Sequence, residues 1–217
     1  MFKKDKYCII RQAISKDLAT FVANYFAIKK QVYDTCRQAR FISPYEVLLG
    51  EYEAADGQIP HTYSNYSDIA METLMLKCQP IMEKTTGLKL NPAYTYARIY
   101  KKGDVLKRHK DRFSCEISTT MKLGGEDWPI YLDPVNAEIP PTNIPYTIIG
   151  NKGVKVDLEP GDMLVYSGCT LEHWREKFEG DNCAQVFLHY NNVETQGETN
   201  KYDGRPHLGL PSDFKNI

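Results

Sequence analysis

The stretch YTYARIYKKGDVLKRHKDRFSCEISTTMKL, residues 94–123, decides how this chain is read. It opens with a β-prone run, YTYARIY (94–100), breaks at the turn KKGD, and resumes as a second β-prone run, CEISTTMKL (115–123). Aromatic and β-branched residues bounded by Gly and charged turn residues mark strands. Between the two runs stand His109 and Asp111. In extended backbone, residues i and i+2 point to the same face, so an imidazole and a carboxylate share one side of the chain. Either both are solvated on an exposed strand, or both converge on something that binds them.

Downstream the same texture continues: WPIYLD (128–133), VKVDL (154–158), MLVYSG (163–168) and AQVFLHYNN (184–192), punctuated by LGGED, GNKG and EPGD. Many short strands with Gly-rich punctuation predict a barrel or sandwich rather than a parallel α/β sheet. Upstream the period changes. Leu18, Phe21, Val22, Tyr25 and Phe26 follow the candidate N-cap Ser15 at helical spacing and predict an amphipathic helix over 16–33. Residues 36–66 read as irregular. A second helix is expected from Ser67 through DIAMETLMLKCQPIMEKTTG, kinked or divided at Pro80 and ended by Gly87. The fold class is therefore α+β, mainly β. A single domain spans 1–217: helical support over 1–89, a β core over 90–193 and a loop-rich C-terminal extension over 194–217.

Composition narrows the function classes. With 42% hydrophobic and 25% charged residues in 217, the chain can bury a sizeable core. The formal net charge of −1 gives no electrostatic reason to expect nucleic acid or an anionic membrane as partner. Basic clusters such as KKGDVLKRHKDR are interleaved with acids. The six cysteines form no CxxC pair and MFKKDKYCII carries no long apolar core, so the expectation is free thiols in a reducing cytoplasm. No apolar run nears the roughly 20 residues that span a bilayer. A monomer or homodimer is expected.

A third candidate ligand stands in EPGDMLVYSGCTLEHWREKF, where a turn over 157–162 and the strand MLVYSG lead to His173. It lies 62 residues after Asp111 (173 − 111), enough for several antiparallel strands to bring the chain back. Read singly, an HxD pair is usually a surface pair and a lone histidine a satisfied half-buried one. Together, His109, Asp111 and His173 make two imidazoles and a carboxylate. That set holds a ferrous ion on one face of an octahedron and leaves adjacent positions open.

With Tyr100 nine positions before His109, the HKD itself, the PGD turn and His173, the chain resembles the 2-oxoglutarate- and Fe(II)-dependent oxygenases, in particular the prolyl 4-hydroxylase-like branch. The resemblance covers about 90–192. It implies a double-stranded β-helix (jelly-roll) core. It also implies oxidative decarboxylation of 2-oxoglutarate to succinate and CO2, coupled to hydroxylation of a C–H bond. Fe(II) would be held by His109, Asp111 and His173, 2-oxoglutarate and O2 would be co-substrates, and ascorbate is a further candidate cofactor. Tyr100 would hydrogen-bond the co-substrate. A prolyl residue of a peptide or protein is the substrate this branch implies, with a free amino acid or other small molecule as alternative. A non-catalytic, cupin-like metal-binding jelly roll is the reading from another class.

The sequence departs from the family at one position. The basic residue that grips the far carboxylate of 2-oxoglutarate is expected about ten residues after the distal histidine, where this chain has Cys183. Strand alternation proposes substitutes: Arg175 on the face of His173, then Arg98 on the face of Tyr100, then Lys122, with Arg112 behind them. The plain alternative for Arg175 is a surface ion pair with Glu172 or Glu176. On the last strand Gln185, Phe187 and His189 share a face, His189 reading as a satisfied core histidine. Trp174 reads as packing, and His61 and His207 fall in loops. The irregular segment 36–66 and the region from Trp128 to Thr147 are candidate lids.

Overall fold

The computed structural model describes residues 2–52, 58–135, 152–197 and 199–215. The chain starts with a short helix, α1 (Phe2–Asp5), and an edge strand, β1 (Tyr7–Ile10). The long helix α2 (Lys16–Gln38) follows, its Ser15 cap accepting from the Leu18 N–H at 3.2 Å. Then come β2 (Ser64–Tyr66) and α3 (Ile69–Thr86). The remainder is β: β3 (Leu90–Lys101), β4 (Leu106–His109), β5 (Ile117–Gly125), β6 (Ile130–Asp133), β7 (Val154–Val156), β8 (Met163–Tyr166), β9 (Glu172–Arg175) and β10 (Asn182–Asn192).

These strands form two sheets in which every pairing is antiparallel. The large sheet runs β1-β8-β5-β10-β3-β2 and the small one β4-β9-β6-β7. Strand alternation divides the large sheet's side chains between two cores. Met121, Leu123, Val186, Leu188 and Met163 face α2 and α3 and join Val22, Phe26, Met71, Met75 and Met82 in one apolar cluster. The opposite parity faces the small sheet, where Leu164 and Tyr166 pack on Ile130 and Leu132. At the other end Tyr100 and Cys183 pack on Leu106 and Trp128.

Several expectations need adjusting. The first helix runs to Gln38, beyond 33, and buries Ala19, Val22, Phe26 and Tyr33. Phe21, expected on the apolar face, is 70% exposed. The second helix starts at Ile69 rather than Ser67, capped by Asp68, whose carboxylate accepts from the Met71 N–H at 3.0 Å. It continues through Pro80, which is exposed, and ends at Gly87 in the left-handed conformation, as the sequence predicts. The segment 36–66 is not wholly irregular, since β2 closes one edge of the large sheet. The first 89 residues therefore supply both edge strands, β1 and β2, as well as helices. Most of the region from Trp128 to Thr147 lies outside the described residues. All six cysteines are free thiols. No helix among the described residues is long and apolar enough to cross a membrane.

Candidate metal centre

β4 and β9 are neighbours in the small sheet, and their register sets His109 opposite His173. Asp111 leaves the end of β4 with its N–H donating to the Gly168 carbonyl at 2.9 Å, and the Gly168 N–H donates to the Glu116 carbonyl at 3.1 Å. Segments far apart in sequence thus meet at one point. Ligand atoms of His109, Asp111 and His173 all lie within 4.8 Å of one another. Each Nε2 stands 3.4 Å from Asp111 Oδ1, and the two rings are 4.3 Å apart between centroids.

The tautomers follow from the backbone. Nδ1 of His109 is 2.7 Å from the Lys107 carbonyl, and Nδ1 of His173 is 3.0 Å from the Leu171 carbonyl. A carbonyl only accepts, so Nδ1 carries a proton in both rings and Nε2 is aimed at the centre. Burial pushes the Asp111 pKa up, but His173 and His109 beside it more than offset that and hold it well below the usual carboxylate range. A carboxylate and two Nε2 atoms facing one space call for positive charge there. A divalent transition metal supplies it, and this donor set fits one.

Neighbouring groups aim the ligands. Ser118 Oγ lies 3.2 Å from Asp111 Oδ2, 2.9 Å from the Cys115 carbonyl and 2.9 Å from His189 Nδ1. His189 is buried and its pKa is lowered to about 4, burial disfavouring the charged ring. It stays neutral at pH 7, as a satisfied core histidine should. Gly168 is required by space: a Cβ there would lie 2.3 Å from the Cys115 carbonyl oxygen and 2.5 Å from Asp111 Oδ2. On the other side of the ligand strands, Arg108 donates to both Glu172 and Asp133 and lies 4.3 Å over the Trp174 ring. Arg108 precedes His109 and Glu172 precedes His173, so one guanidinium ties the two ligand strands to β6. Trp174 also stacks on Tyr131, on the outer face where packing was expected.

A cavity of about 450 Å³ opens over the three ligands. Tyr100, Leu106, Ile130 and Tyr166 line its buried part, and Tyr66, Tyr94, Tyr96, Phe187 and His189 form an aromatic wall. Tyr100 is fully buried with its pKa pushed up to about 12 by desolvation, so it is a neutral phenol donor. Arg98 lines the cavity and lies 4.9 Å over the Tyr96 ring. Arg175 sits just behind the wall. Its guanidinium donates to the Trp128 carbonyl and, at 3.1 Å, to Thr120 Oγ1. Its Nε is buried without a hydrogen-bond partner.

The surface pair considered for Arg175 does not form. Glu172 is taken by Arg108, and Glu176 accepts from Trp174 Nε1 at 3.1 Å. Burial pulls the Arg175 pKa down, and the neighbours that partly restore it are the Tyr100, Cys183 and Tyr166 side chains, neutral at pH 7, rather than a carboxylate. Lys122 and Arg112, the lesser anchor candidates, have acidic partners in Asp127 and Asp203. Sequence reasoning missed Gly168, the Arg108 cluster, and the tail residues Ser212 and Lys215, which line the cavity. Their partners lie far away in sequence, and no local periodicity marks them.

No family model matches the sequence, and no curated protein matches it. Solved structures do. The non-heme alpha-ketoglutarate-dependent epimerase SnoN from nogalamycin biosynthesis superposes with TM-score 0.63 at 12% identity, over 88% of this chain and 80% of that one. The chain has the double-stranded β-helix fold of the 2-oxoglutarate- and Fe(II)-dependent oxygenases. HygX from Streptomyces hygroscopicus, solved with nickel and 2-oxoglutarate bound, matches all of this chain and 92% of its own at TM-score 0.57 and 12% identity. A prolyl hydroxylase in complex with a hypoxia inducible factor peptide fragment from Trichoplax adhaerens matches 89% of this chain and 86% of its own, at TM-score 0.56 and 14% identity. The fold expected from residues 90–192 is thus found.

Proposed function

We propose that this protein is a 2-oxoglutarate- and Fe(II)-dependent dioxygenase that hydroxylates a C–H bond, with succinate and CO2 as co-products. One observation carries the reading: His109, Asp111 and His173 converge within 4.8 Å at the mouth of a buried cavity in a double-stranded β-helix. These three would hold the ion through two Nε2 atoms and one carboxylate oxygen. Bound there with its keto-acid co-substrate, iron supplies the oxygen-activating chemistry that protein side chains lack.

The chain's own residues do the rest. The two Nδ1–H···O=C bonds fix the imidazole tautomers, and Ser118 turns Asp111 so that Oδ1 faces the histidines. Leu106, Ile130 and Tyr166 keep water from the buried part of the cavity. Arg175 takes the far carboxylate of 2-oxoglutarate. It is a buried cation with no acidic partner and an unmade Nε–H bond, which a carboxylate would satisfy. Cys183, at the position where the family carries its basic residue, has its thiol beside this guanidinium. Hydrogen bonds link Arg175 to Thr120, Thr120 to Gln185 and Gln185 to Cys183. Tyr100 is the second donor to the co-substrate, and Arg98, which lines the cavity, is the alternative anchor.

A prolyl residue in a peptide is the substrate that the sequence resemblance favours. A small molecule is the alternative, and it fits a cavity of about 450 Å³ whose lining includes Glu51, Gln58, Ser212 and Lys215.

The test is an anaerobic titration of metal-stripped protein with Fe(II) and then 2-oxoglutarate, read by the visible charge-transfer band of the chelate. The band is expected in wild type and absent in His109→Ala. Iron binding without a band would refute the oxygenase and leave a metal-bearing jelly roll.

A further inference from the structure

The C-terminal segment after β10 folds back over the large sheet and is held by buried charge. Arg205 pairs with Glu72 at 2.8 Å, both buried, and donates to the Ala93 carbonyl at 2.9 Å. The preceding turn places Asp203, also buried, against Arg112 through two bonds of 2.8 Å. Lys215 Nζ reaches the same carboxylate at 2.7 Å, as does the Tyr66 hydroxyl. Two cations therefore share one carboxylate, and the group carries one positive charge in excess.

The orientation of this group matters more than its existence. Arg112 and Lys215 line the cavity, whereas Asp203 lies behind them. Among the described residues the rest of the cavity wall adds no further negative charge: Arg98 and Lys110 are present with Glu51, and Asp111 belongs to the metal centre. Beside the two cations the wall is aromatic. Tyr66 and Tyr94 stack at 4.9 Å and 27°, Tyr94 lies 4.5 Å from His189, and Arg112 and Lys215 lie over the outer faces of Tyr94 and Tyr66.

Resting on the reading of this cavity as the oxygenase's substrate chamber, we infer that the primary substrate is a small ring-bearing carboxylic acid, its ring against the aromatic wall beside Tyr66 and Tyr94 and its carboxylate on Lys215. A single excess positive charge matches a monoanion. The ring edges of this stack, with Phe187 beside them, offer an apolar surface to a cyclic skeleton. Lys215 lines the same cavity as His109, Asp111 and His173, so a carboxylate held there leaves the rest of the ring in the chamber those three face. Lys215 is then a specificity-determining residue, and the tail is a wall of the chamber rather than a surface extension.

The experiment compares 4-hydroxyphenylacetate with its neutral isostere 4-hydroxyphenylacetamide, titrated by calorimetry into metal-free protein, so that the carboxylate has no iron to bind. The acid is expected to bind at least roughly tenfold more tightly than the amide. That preference should vanish in Lys215→Gln and persist in Lys215→Arg. Equal binding of acid and amide overturns the proposal, as does a preference that survives Lys215→Gln. No binding of the acid up to about 10 mM, weaker than any useful affinity, overturns it as well. A 2-oxoglutarate titration of the Mn(II)-loaded protein runs in parallel. Its failure would remove the oxygenase reading and leave the acid preference standing, while loss of the preference alone would remove only the substrate assignment.

Discussion

Replacing Arg175 with Met should separate what this residue does for the ligand from what it does for the fold. The guanidinium is 1% exposed, makes bonds to the Trp128 carbonyl and Thr120 Oγ1, and leaves Nε without a partner. Burying such a charge costs several kcal/mol, and apolar replacements of similar volume are often neutral or stabilising by about 1–4 kcal/mol. In the ligand-free protein Arg175→Met should therefore unfold at the wild-type temperature or above it. Toward 2-oxoglutarate the sign reverses. Two charge-assisted bonds at about 1.5 kcal/mol each give about 3 kcal/mol, or roughly 150-fold in Kd. The assay is thermal unfolding with Mn(II), with and without 2-oxoglutarate. At about 100 times the wild-type Kd the ligand stabilises wild type by about 2.7 kcal/mol, a shift of about 5–10 °C for a chain of this size. For the variant the same concentration gives about 0.3 kcal/mol, a shift at the edge of detection. Adding Cys183→Arg in the Arg175→Met background should restore the shift, since it returns a guanidinium to the place beside which the thiol now stands. If Arg175→Met kept the ligand shift, or unfolded before wild type without ligand, the anchor assignment would be wrong.

Three further perturbations read other parts of the site. Arg108→Met should lower Mn(II) affinity about 10–100-fold by loosening the strands that carry His109 and His173, although Arg108 touches no metal; spin-resonance titration of free Mn(II) measures it, and wild-type affinity would sink the idea. Gly168→Ala should damage both metal binding and folding, because the added Cβ meets the Cys115 carbonyl oxygen at 2.3 Å and Asp111 Oδ2 at 2.5 Å; wild-type Mn(II) affinity and unfolding temperature would show that the clash is absorbed elsewhere. His189 has a folded pKa near 4 against 6.5 for the free side chain. Its depressed value means that the unfolded chain takes up the proton first, so this stability is fully present above pH 6.5 and is lost as pH falls toward 4. Between pH 7 and 5 the loss is about 2 kcal/mol in urea unfolding. His189→Phe should flatten that part of the profile, and an unchanged slope would assign it to other groups.

The sequence by itself picked out the candidate ligand set that the fold brings together and determined the class of fold. His109 and Asp111 are two apart in an extended segment, so their common face is a matter of backbone geometry. The strand runs from Leu90 onward carry period-2 patterning because each strand of the large sheet divides its side chains between a helix-covered core and the inter-sheet space. Gly87 was legible as a helix end because a left-handed residue is needed there. Alternation alone also put Arg175 on the face of His173. Local pattern suffices for such features because the physics that sets them is local.

What the tertiary structure decided is which of several equivalent side chains meets which partner. Strand alternation ordered Arg175, Arg98, Lys122 and Arg112 without fixing which cation meets which partner. In the folded chain Asp127 and Asp203 claim the last two, whereas Arg175 and Arg98 are both buried. Phe21 had the right spacing for the core but lies on the solvent side of α2, because the helix packs along Ala19, Val22, Phe26 and Tyr33. β1 and β2 were invisible as sheet edges, since four- and three-residue strands gain their order from the neighbours they pair with. The tail from Asp203 to Lys215 carries no periodicity at all. It is a wall of the chamber because Asp203 and Arg205 find Arg112 and Glu72, residues 91 and 133 positions away, and long-range charge pairing of that kind leaves no trace in the order of the residues.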